Sequence, residues 1–233
     1  MKNLLSLLFV TIFVTGCSSI PQQSFNAEAN KNIKTVALIK PPAVKEVNVG
    51  IVHHPGNSFG LIGAAIAAAD TAGKTSDYNK ALGTNKVNWS AYAQAQLKAQ
   101  LEKNGYTVKN VVARKKGNSS AKFMETYPDT GTDAILDYYY NVQYLATGPT
   151  TDYIPTVNFM SRLVKSSDKS VIYAQHFVSG NAVIAAKGAV ATVNNTGFNN
   201  IASLKAKPKE SVQALKKGVD TIASLIGKDL KNR

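Results

Sequence analysis

The chain has 233 residues, 44% of them hydrophobic, with 27 Lys and Arg against 14 Asp and Glu. That length and apolar content suffice for the core of one large domain or two small ones. Cys17 is the only cysteine, which excludes a disulfide bond within the chain. The formal charge of +13 would ordinarily suggest a nucleic-acid partner, but the export signal described below argues against one.

The positive charge leaves two interpretations open. Removal of Lys2 with the signal peptide leaves a charge of +12, and the lysines are dispersed, with small clusters at 114–116 and 205–217. An exported basic protein would meet lipid head groups, lipopolysaccharide, peptidoglycan carboxylates and acidic proteins. The simpler alternative is that dispersed lysines only keep the protein soluble.

The amino terminus has the layout of a secretory signal peptide. Lys2 precedes an apolar run over residues 4–14, which is too short for a membrane-spanning helix of about 20 residues. Residues 14–17 read Val-Thr-Gly-Cys, a branched apolar residue and two small residues before the cysteine. This layout predicts a signal peptide over residues 1–16 that is removed from the mature protein.

The same four residues resemble the lipobox of bacterial lipoproteins. The resemblance implies that the Cys17 thiol receives a diacylglycerol, that the chain is cut before it, and that the new amine is acylated. Ser18 rather than aspartate follows, and by resemblance to the sorting rule of enteric bacteria this favours the outer membrane. We therefore expect a lipid anchor on Cys17 at the periplasmic face of the outer membrane. The alternative is an ordinary signal peptide followed by a chance cysteine.

The rest of the chain predicts a tether and one domain. Residues 17–31 are mostly polar and predict the lipid anchor with a flexible tether. Residues 32–233 predict a single periplasmic α/β domain, in which residues 43–87 form a long insertion rich in small residues. Hydrophobic periodicity and turn signals predict strands over 33–40, 106–113 and 133–146, a hairpin of 153–165 with 170–180, and helices over 88–104, 119–127 and 208–230. Periodicity does not distinguish strand from helix over residues 181–204.

The order of these elements predicts an α/β (α+β) fold, with a mixed sheet of about five strands and helices packed on it. A helix between the first two strands predicts that they pair in parallel. Residues 35–41, 101–106 and 132–136 resemble the periplasmic domains of the TolB amino-terminal region, of lipoprotein activators of cell-wall synthases and of the curli-secretion lipoprotein. Residues 59–65 resemble a run found in uncharacterised bacterial lipoproteins. The resemblance covers about residues 33–180 and implies the fold, with no functional residue beyond Cys17.

Two runs of small apolar residues, 60–69 and 182–193, are the sharpest feature outside the anchor. One hypothesis is that they contact the membrane or a protein partner, because Gly and Ala allow helices to associate closely in lipid. The alternative, which the sequence favours slightly, is that they cover the sheet inside the domain. The candidate contact residues are Phe59, Gly60, Leu61, Ile62 and Gly63.

No catalytic or metal-binding arrangement stands out in the sequence. His53 and His54 are adjacent, so on a strand they would point to opposite faces and make a poor metal pair. His176 lies within a predicted strand, where a packed or interface histidine is expected. Asp133 and Asp137 would share a strand face, yet capping and solvation explain such a pair better than acid–base catalysis. We expect no enzymatic activity, no metal and no cofactor.

These features predict a membrane-anchored periplasmic lipoprotein that acts as a non-enzymatic accessory or assembly factor of an envelope complex. Its partners would be the membrane, through the lipid on Cys17, and an envelope protein, with no nucleic acid. The alternative is an oligomeric secretion or pore component that resembles the curli-secretion lipoprotein and assembles as a homo-oligomer.

Overall fold

The computed structural model describes residues 20–41, 43–112, 123–194 and 196–231, with backbone alone over 110–112. Seven strands lie in the described chain: β1 (Thr35–Ile39), β2 (Asn48–Ile51), β3 (Thr107–Val112), β4 (Ala134–Ala146), β5 (Ile154–Lys165), β6 (Val171–Ser179) and β7 (Val190–Thr192). Four α-helices accompany them: α1 (Gly60–Ala81), α2 (Trp89–Lys103), α3 (Ile201–Ala206) and α4 (Pro208–Asp229). The predicted α/β class is confirmed, with seven strands rather than about five.

All seven strands belong to one mixed sheet in the order β3-β1-β4-β5-β6-β7, with β2 also paired to β4. The first three residues of β4 pair in parallel with β1, and its last four residues pair in parallel with β2. The predicted parallel pairing of β1 with β3 and the predicted β5–β6 hairpin are both confirmed. Because β4 pairs along its whole length with β5, it is the central strand of the sheet.

The main core lies on one face of this sheet. Alternate residues of β4 point into it, as the strand pattern predicts: Leu136, Tyr138, Tyr140, Val142 and Tyr144. Helices α2 and α4 cover that face with apolar residues at helical spacing. The predicted helix cap is also confirmed, because the Asn88 side chain accepts a hydrogen bond from the backbone N–H of Ala91 at 3.1 Å.

The opposite face of the sheet carries a smaller core, and one helix predicted in this region is wrong. Ala37, Ile39, Ile135 and Met124 form this second cluster. The helix predicted over 119–127 is wrong for its described part, since residues 123–127 are irregular. Long-range contacts replace the helical hydrogen bonds: the backbone N–H of Met124 donates to Asp137, and its carbonyl accepts from Arg162.

The segment predicted as a tether contacts the domain where the structure describes it. Gln23 exchanges two backbone hydrogen bonds with Ala174 of β6, each 2.9 Å long. The Gln22 side chain donates to the carbonyl of Gly188. Asn30 is buried, and its carbonyl accepts from the N–H of Ile33 at 3.0 Å. The chain is therefore held against the sheet edge from Gln22 onward.

Candidate membrane or partner contact

The region between β2 and α1 is built from a short turn and two glycines. Pro55–Ser58 forms one turn of 3₁₀ helix, capped by His54, whose Nδ1 accepts from the Gly56 N–H at 3.0 Å. Gly60 has a φ of +61°, a conformation that side chains with a Cβ rarely adopt. This glycine lets the chain turn sharply from the 3₁₀ turn into α1.

Close backbone contact then fixes the turn against the helix. A Cβ on Gly63 would lie 2.0 Å from the carbonyl oxygen of Gly56 and 2.7 Å from the Cβ of Phe59. Any side chain at position 63 would therefore separate the two segments. Gly63 is buried for this reason, whereas Gly60 is exposed.

The large apolar side chains of this region point away from the protein. Phe59 is 75% exposed, Leu61 92%, Ile62 79% and Ile66 59%. We call these four residues the apolar tip. Ile66 was not among the predicted contact residues, although its spacing of four from Ile62 places both on one helix face. Large exposed apolar patches are typical of protein–protein or membrane contact sites.

The second small-residue run is also at the surface. It contains a 3₁₀ turn (Ala182–Ile184) and β7, and it exposes Val183 and Val193. Together with the apolar tip, these are all six exposed large hydrophobic side chains among the described residues. The alternative that the runs cover the sheet therefore holds for Gly63 and Ala67, which are buried, and for Val190, which packs against the main core. It does not hold for the six exposed side chains.

Both runs leave the sheet at the same end, where β2, β4, β6 and β7 finish. We call this the apical end and the opposite one the basal end. After β2, His53 donates to the carbonyl of Thr147, just beyond β4, at 3.0 Å. After β6, the Asn181 amide donates to the Thr147 hydroxyl at 3.3 Å. The strand register thus brings the two apolar runs to one end of the molecule.

The second half of α1 is held by polar groups. Asn79 accepts from the Val47 N–H at 3.0 Å and donates to the Val47 carbonyl at 2.9 Å. Thr75 accepts from the N–H of Val49 at 3.0 Å. These bonds satisfy backbone groups of β2 and of Val47, the residue before it, and they fix the direction of the helix.

A polar set lies at the base of the apolar tip. Asp70 is 3.4 Å from His54 Nε2 and also contacts the Lys74 ammonium. Lys74 and Asp70 form an ion pair, and the contact of Asp70 with His54 ties the turn to the helix. Among the described residues no group of three His, Cys, Asp or Glu side chains could hold a metal ion.

The predicted carboxylate pair has a structural role. Asp133 accepts from the N–H groups of Lys34 and Thr35 at 2.9 and 2.8 Å, and the hydrogen bond from Lys34 is the largest cause of its lowered pKa. Asp137 is fully buried and accepts from the Tyr127 hydroxyl at 3.0 Å. The two carboxylates thus fasten different segments to the sheet.

Asp137 belongs to a larger cluster on the second face of the sheet. Arg162 donates to the Tyr127 hydroxyl at 3.0 Å, and its guanidinium carbon lies 4.4 Å from the ring centre of Phe123. Burial and the Asp137 charge raise the pKa of the Tyr127 hydroxyl. The cluster holds residues 123–127 on the sheet, since these residues have no regular secondary structure of their own.

The other predicted residues have separate places. His176 is buried in β6, where its Nε2 is 2.6 Å from the Asn158 amide oxygen; burial lowers its pKa. Cys17, the predicted lipid-bearing residue, lies outside the described residues. In the described part of the chain, no helix combines the length and the apolar character needed to cross a membrane.

Comparison with known proteins adds little. No family model and no curated protein matches the sequence. Among solved structures, a Xanthomonas campestris protein of the DUF330 family has a TM-score of 0.39 and 14% identity, over 83% of this chain and 82% of that one. A Neisseria meningitidis lipoprotein has a TM-score of 0.31 and 14% identity, over 62% of this chain and 81% of that one. A Helicobacter pylori homologue of a putative neuraminyllactose-binding hemagglutinin has a TM-score of 0.36 and 12% identity, over 91% of this chain and 90% of that one. At these scores the similarities carry no argument, and the resemblance to TolB and curli-secretion domains stays a prediction.

Proposed function

We propose that this protein is a lipoprotein, anchored through Cys17 at the periplasmic face of the outer membrane, that serves as a non-enzymatic accessory or assembly factor. The apolar tip is the observation that carries this proposal. Four large side chains are exposed on the first turns of α1 and the residue before it, while the second half of the helix is fixed to β2 by hydrogen bonds. Such an arrangement presents a binding surface rather than a reaction centre.

The lipid anchor is the first part to test. Mass spectrometry of the amino-terminal peptide of the purified protein should show a diacylglycerol on Cys17 and an acylated amine. A Cys17→Ser variant should lack both and leave the membrane fraction. An unmodified cysteine in a protein that still sediments with membranes would contradict this mode of attachment.

The accessory role is tested by crosslinking in intact cells, followed by purification of the lipidated protein and mass spectrometry of what remains attached. We expect one envelope protein to recur in independent preparations. Crosslinks only to itself, in a fixed large multiple, would favour the oligomeric secretion component instead. A substrate turned over by the purified protein, with activity abolished by one substitution, would overturn the non-enzymatic assignment.

A further inference from the structure

The segment that carries the apolar tip is free of charged side chains. Residues 52–69, which carry the apolar tip, contain no Asp, Glu, Lys or Arg. The other apical segments, 147–153 and 180–200, contain Asp152 and Lys187, and the Asp70–Lys74 pair lies at the base of the apolar tip. At the basal end, the two shorter segments 128–133 and 165–170 contain five charged residues: Asp129, Asp133, Lys165, Asp168 and Lys169. The 18 uncharged residues over 52–69 stand out in a chain with 27 basic and 14 acidic side chains.

The absence of charge on residues 52–69 helps to decide whether a protein or a lipid bilayer covers the apolar tip. A protein–protein interface has a polar and charged rim around its apolar centre. A surface that enters lipid must instead keep charged groups out of the hydrocarbon, because each one is costly there. Residues 52–69, which carry the apolar tip, satisfy the stricter, lipid requirement.

Helix α1 carries the apolar tip beyond the end of the sheet. Thr71, Thr75 and Asn79 lie beside Gly50, Val49 and Val47 respectively, so the helix runs antiparallel to β2. At about 1.5 Å per residue, Gly60 lies about 16 Å further along the helix than Thr71. The first turns of α1 therefore project past the carboxyl end of β2.

The amino-terminal segment leads toward the same end. Gln23 pairs antiparallel with Ala174, so the chain before it runs in the direction of the carboxyl end of β6. Cys17 precedes Gln23 by so few residues that it can lie at most about 20 Å from it. A lipid on Cys17 would hold the β6 edge close to the bilayer, with the apical end turned toward it.

We propose that the apolar tip inserts into the same membrane leaflet that holds the lipid on Cys17; this inference rests on the proposed anchor. Two attachments, one acyl and one apolar, then fix the orientation of the domain rather than only its distance from the membrane. Apolar side chains at an interface enter about 5–10 Å below the head groups. The charged basal end faces the periplasm, where an envelope partner can bind.

The single cysteine makes a direct test possible. In the lipidated protein the Cys17 thiol is consumed, so Ile62→Cys supplies one free thiol for an environment-sensitive fluorophore. Ser167→Cys, in the exposed basal turn between β5 and β6, is the matched control. Both full-length proteins are placed in vesicles of phosphatidylethanolamine and phosphatidylglycerol that carry a nitroxide on the lipid chains.

We expect the fluorophore at position 62 to shift to the blue and to be quenched by the nitroxide, while the one at position 167 is unaffected. Circular dichroism checks that both variants fold. Vesicle-bound protein with both fluorophores in water would overturn the insertion while leaving the lipid anchor intact. Protection of position 62 in cells but not in vesicles would assign the apolar tip to a protein partner. An unlipidated Cys17 would overturn the anchor itself and the insertion with it.

A second measurement uses no label. Replacing Phe59 and Ile62 with serine should speed the transfer of the lipidated protein between vesicles by at least about tenfold for each side chain that is fully buried in lipid. Ser167→Ala should leave the rate unchanged. Equal rates for the tip variant and the parent protein would contradict insertion.

Discussion

Helices α1 and α4 have the same length, 22 residues, but they bury different kinds of side chain. Helix α4 buries its apolar residues, including Leu215, Val219 and Ile222, against the sheet. Helix α1 exposes Leu61 and Ile62 and buries polar residues of its second half instead. The difference shows that α4 serves the core, whereas α1 is anchored by hydrogen bonds so that its apolar half can extend outward.

The largest effect should come from the same substitution made in both helices. Leu215→Ala should lower the free energy of unfolding by about 2–5 kcal/mol, because Leu215 is fully buried and its loss leaves a cavity. Leu61→Ala should change it by less than about 0.5 kcal/mol, since Leu61 is already exposed. Urea unfolding in mild detergent measures both. A similar loss in the two variants would show that the first half of α1 packs on the core.

A smaller loss should follow removal of the polar anchor of α1. Asn79→Ala leaves the N–H and carbonyl of Val47 without their partners, and we expect a loss of about 1–3 kcal/mol. Hydrogen exchange at the Val47 amide should accelerate together with the drop in unfolding free energy. The exposed Asn57 provides the control, since Asn57→Ala should change neither quantity. Unchanged exchange at Val47 would mean that another group orients β2.

Alanine substitutions at two glycines of α1 should have opposite effects on stability in its two halves. Gly63→Ala should destabilise by about 1–3 kcal/mol, because the added methyl group meets the Gly56 carbonyl and forces the turn away. Gly73→Ala, where a Cβ meets nothing within 4 Å, should stabilise by about 1 kcal/mol through helix propensity. Limited proteolysis should cut residues 52–60 faster in the first variant and not in the second. Equal stability of both variants would contradict the close contact between Gly56 and Gly63.

The contrast between the helices also explains what the sequence could predict. The α4 stripe has helical periodicity with a polar opposite face, so both its extent and its buried face followed from the sequence. Residues 60–69 are apolar on every side, and such a pattern does not tell which face is buried. Their exposure is decided by Thr75 and Asn79, through bonds to a short strand that the pattern did not separate from its surroundings.

Long-range contacts account for the other differences. Residues 123–127 have a helical pattern, but Asp137 and Arg162 satisfy the backbone of Met124 from the sheet. Hydrophobic periodicity reflects the spacing of residues along the chain and contains no information about contacts between distant segments. Likewise, the convergence of the two apolar runs at the apical end follows from strand register, which no local pattern contains.

The smallest effect concerns a hydrogen bond that joins α1 and α4. Tyr78 of α1 lies 2.7 Å from the Ser211 hydroxyl of α4, which donates in turn to the carbonyl of Pro208. Tyr78 is therefore the donor to Ser211. Tyr78→Phe should cost about 1 kcal/mol near neutral pH, and a double-mutant cycle with Ser211→Ala should show that the two changes are not additive. Additive changes would mean that the helices are coupled only through the core.

The same bond predicts a dependence on alkaline pH. Burial raises the pKa of Tyr78 to about 12, above the value of about 10 of an unfolded chain. The stability that Tyr78 contributes is thus complete below about pH 10 and is lost as the pH rises toward 12, because the unfolded phenol ionises first. The stability advantage of the parent protein over Tyr78→Phe should therefore shrink between these values, since phenylalanine does not ionise. An advantage that stays constant across this range would show that Tyr78 is not held as a neutral donor between α1 and α4.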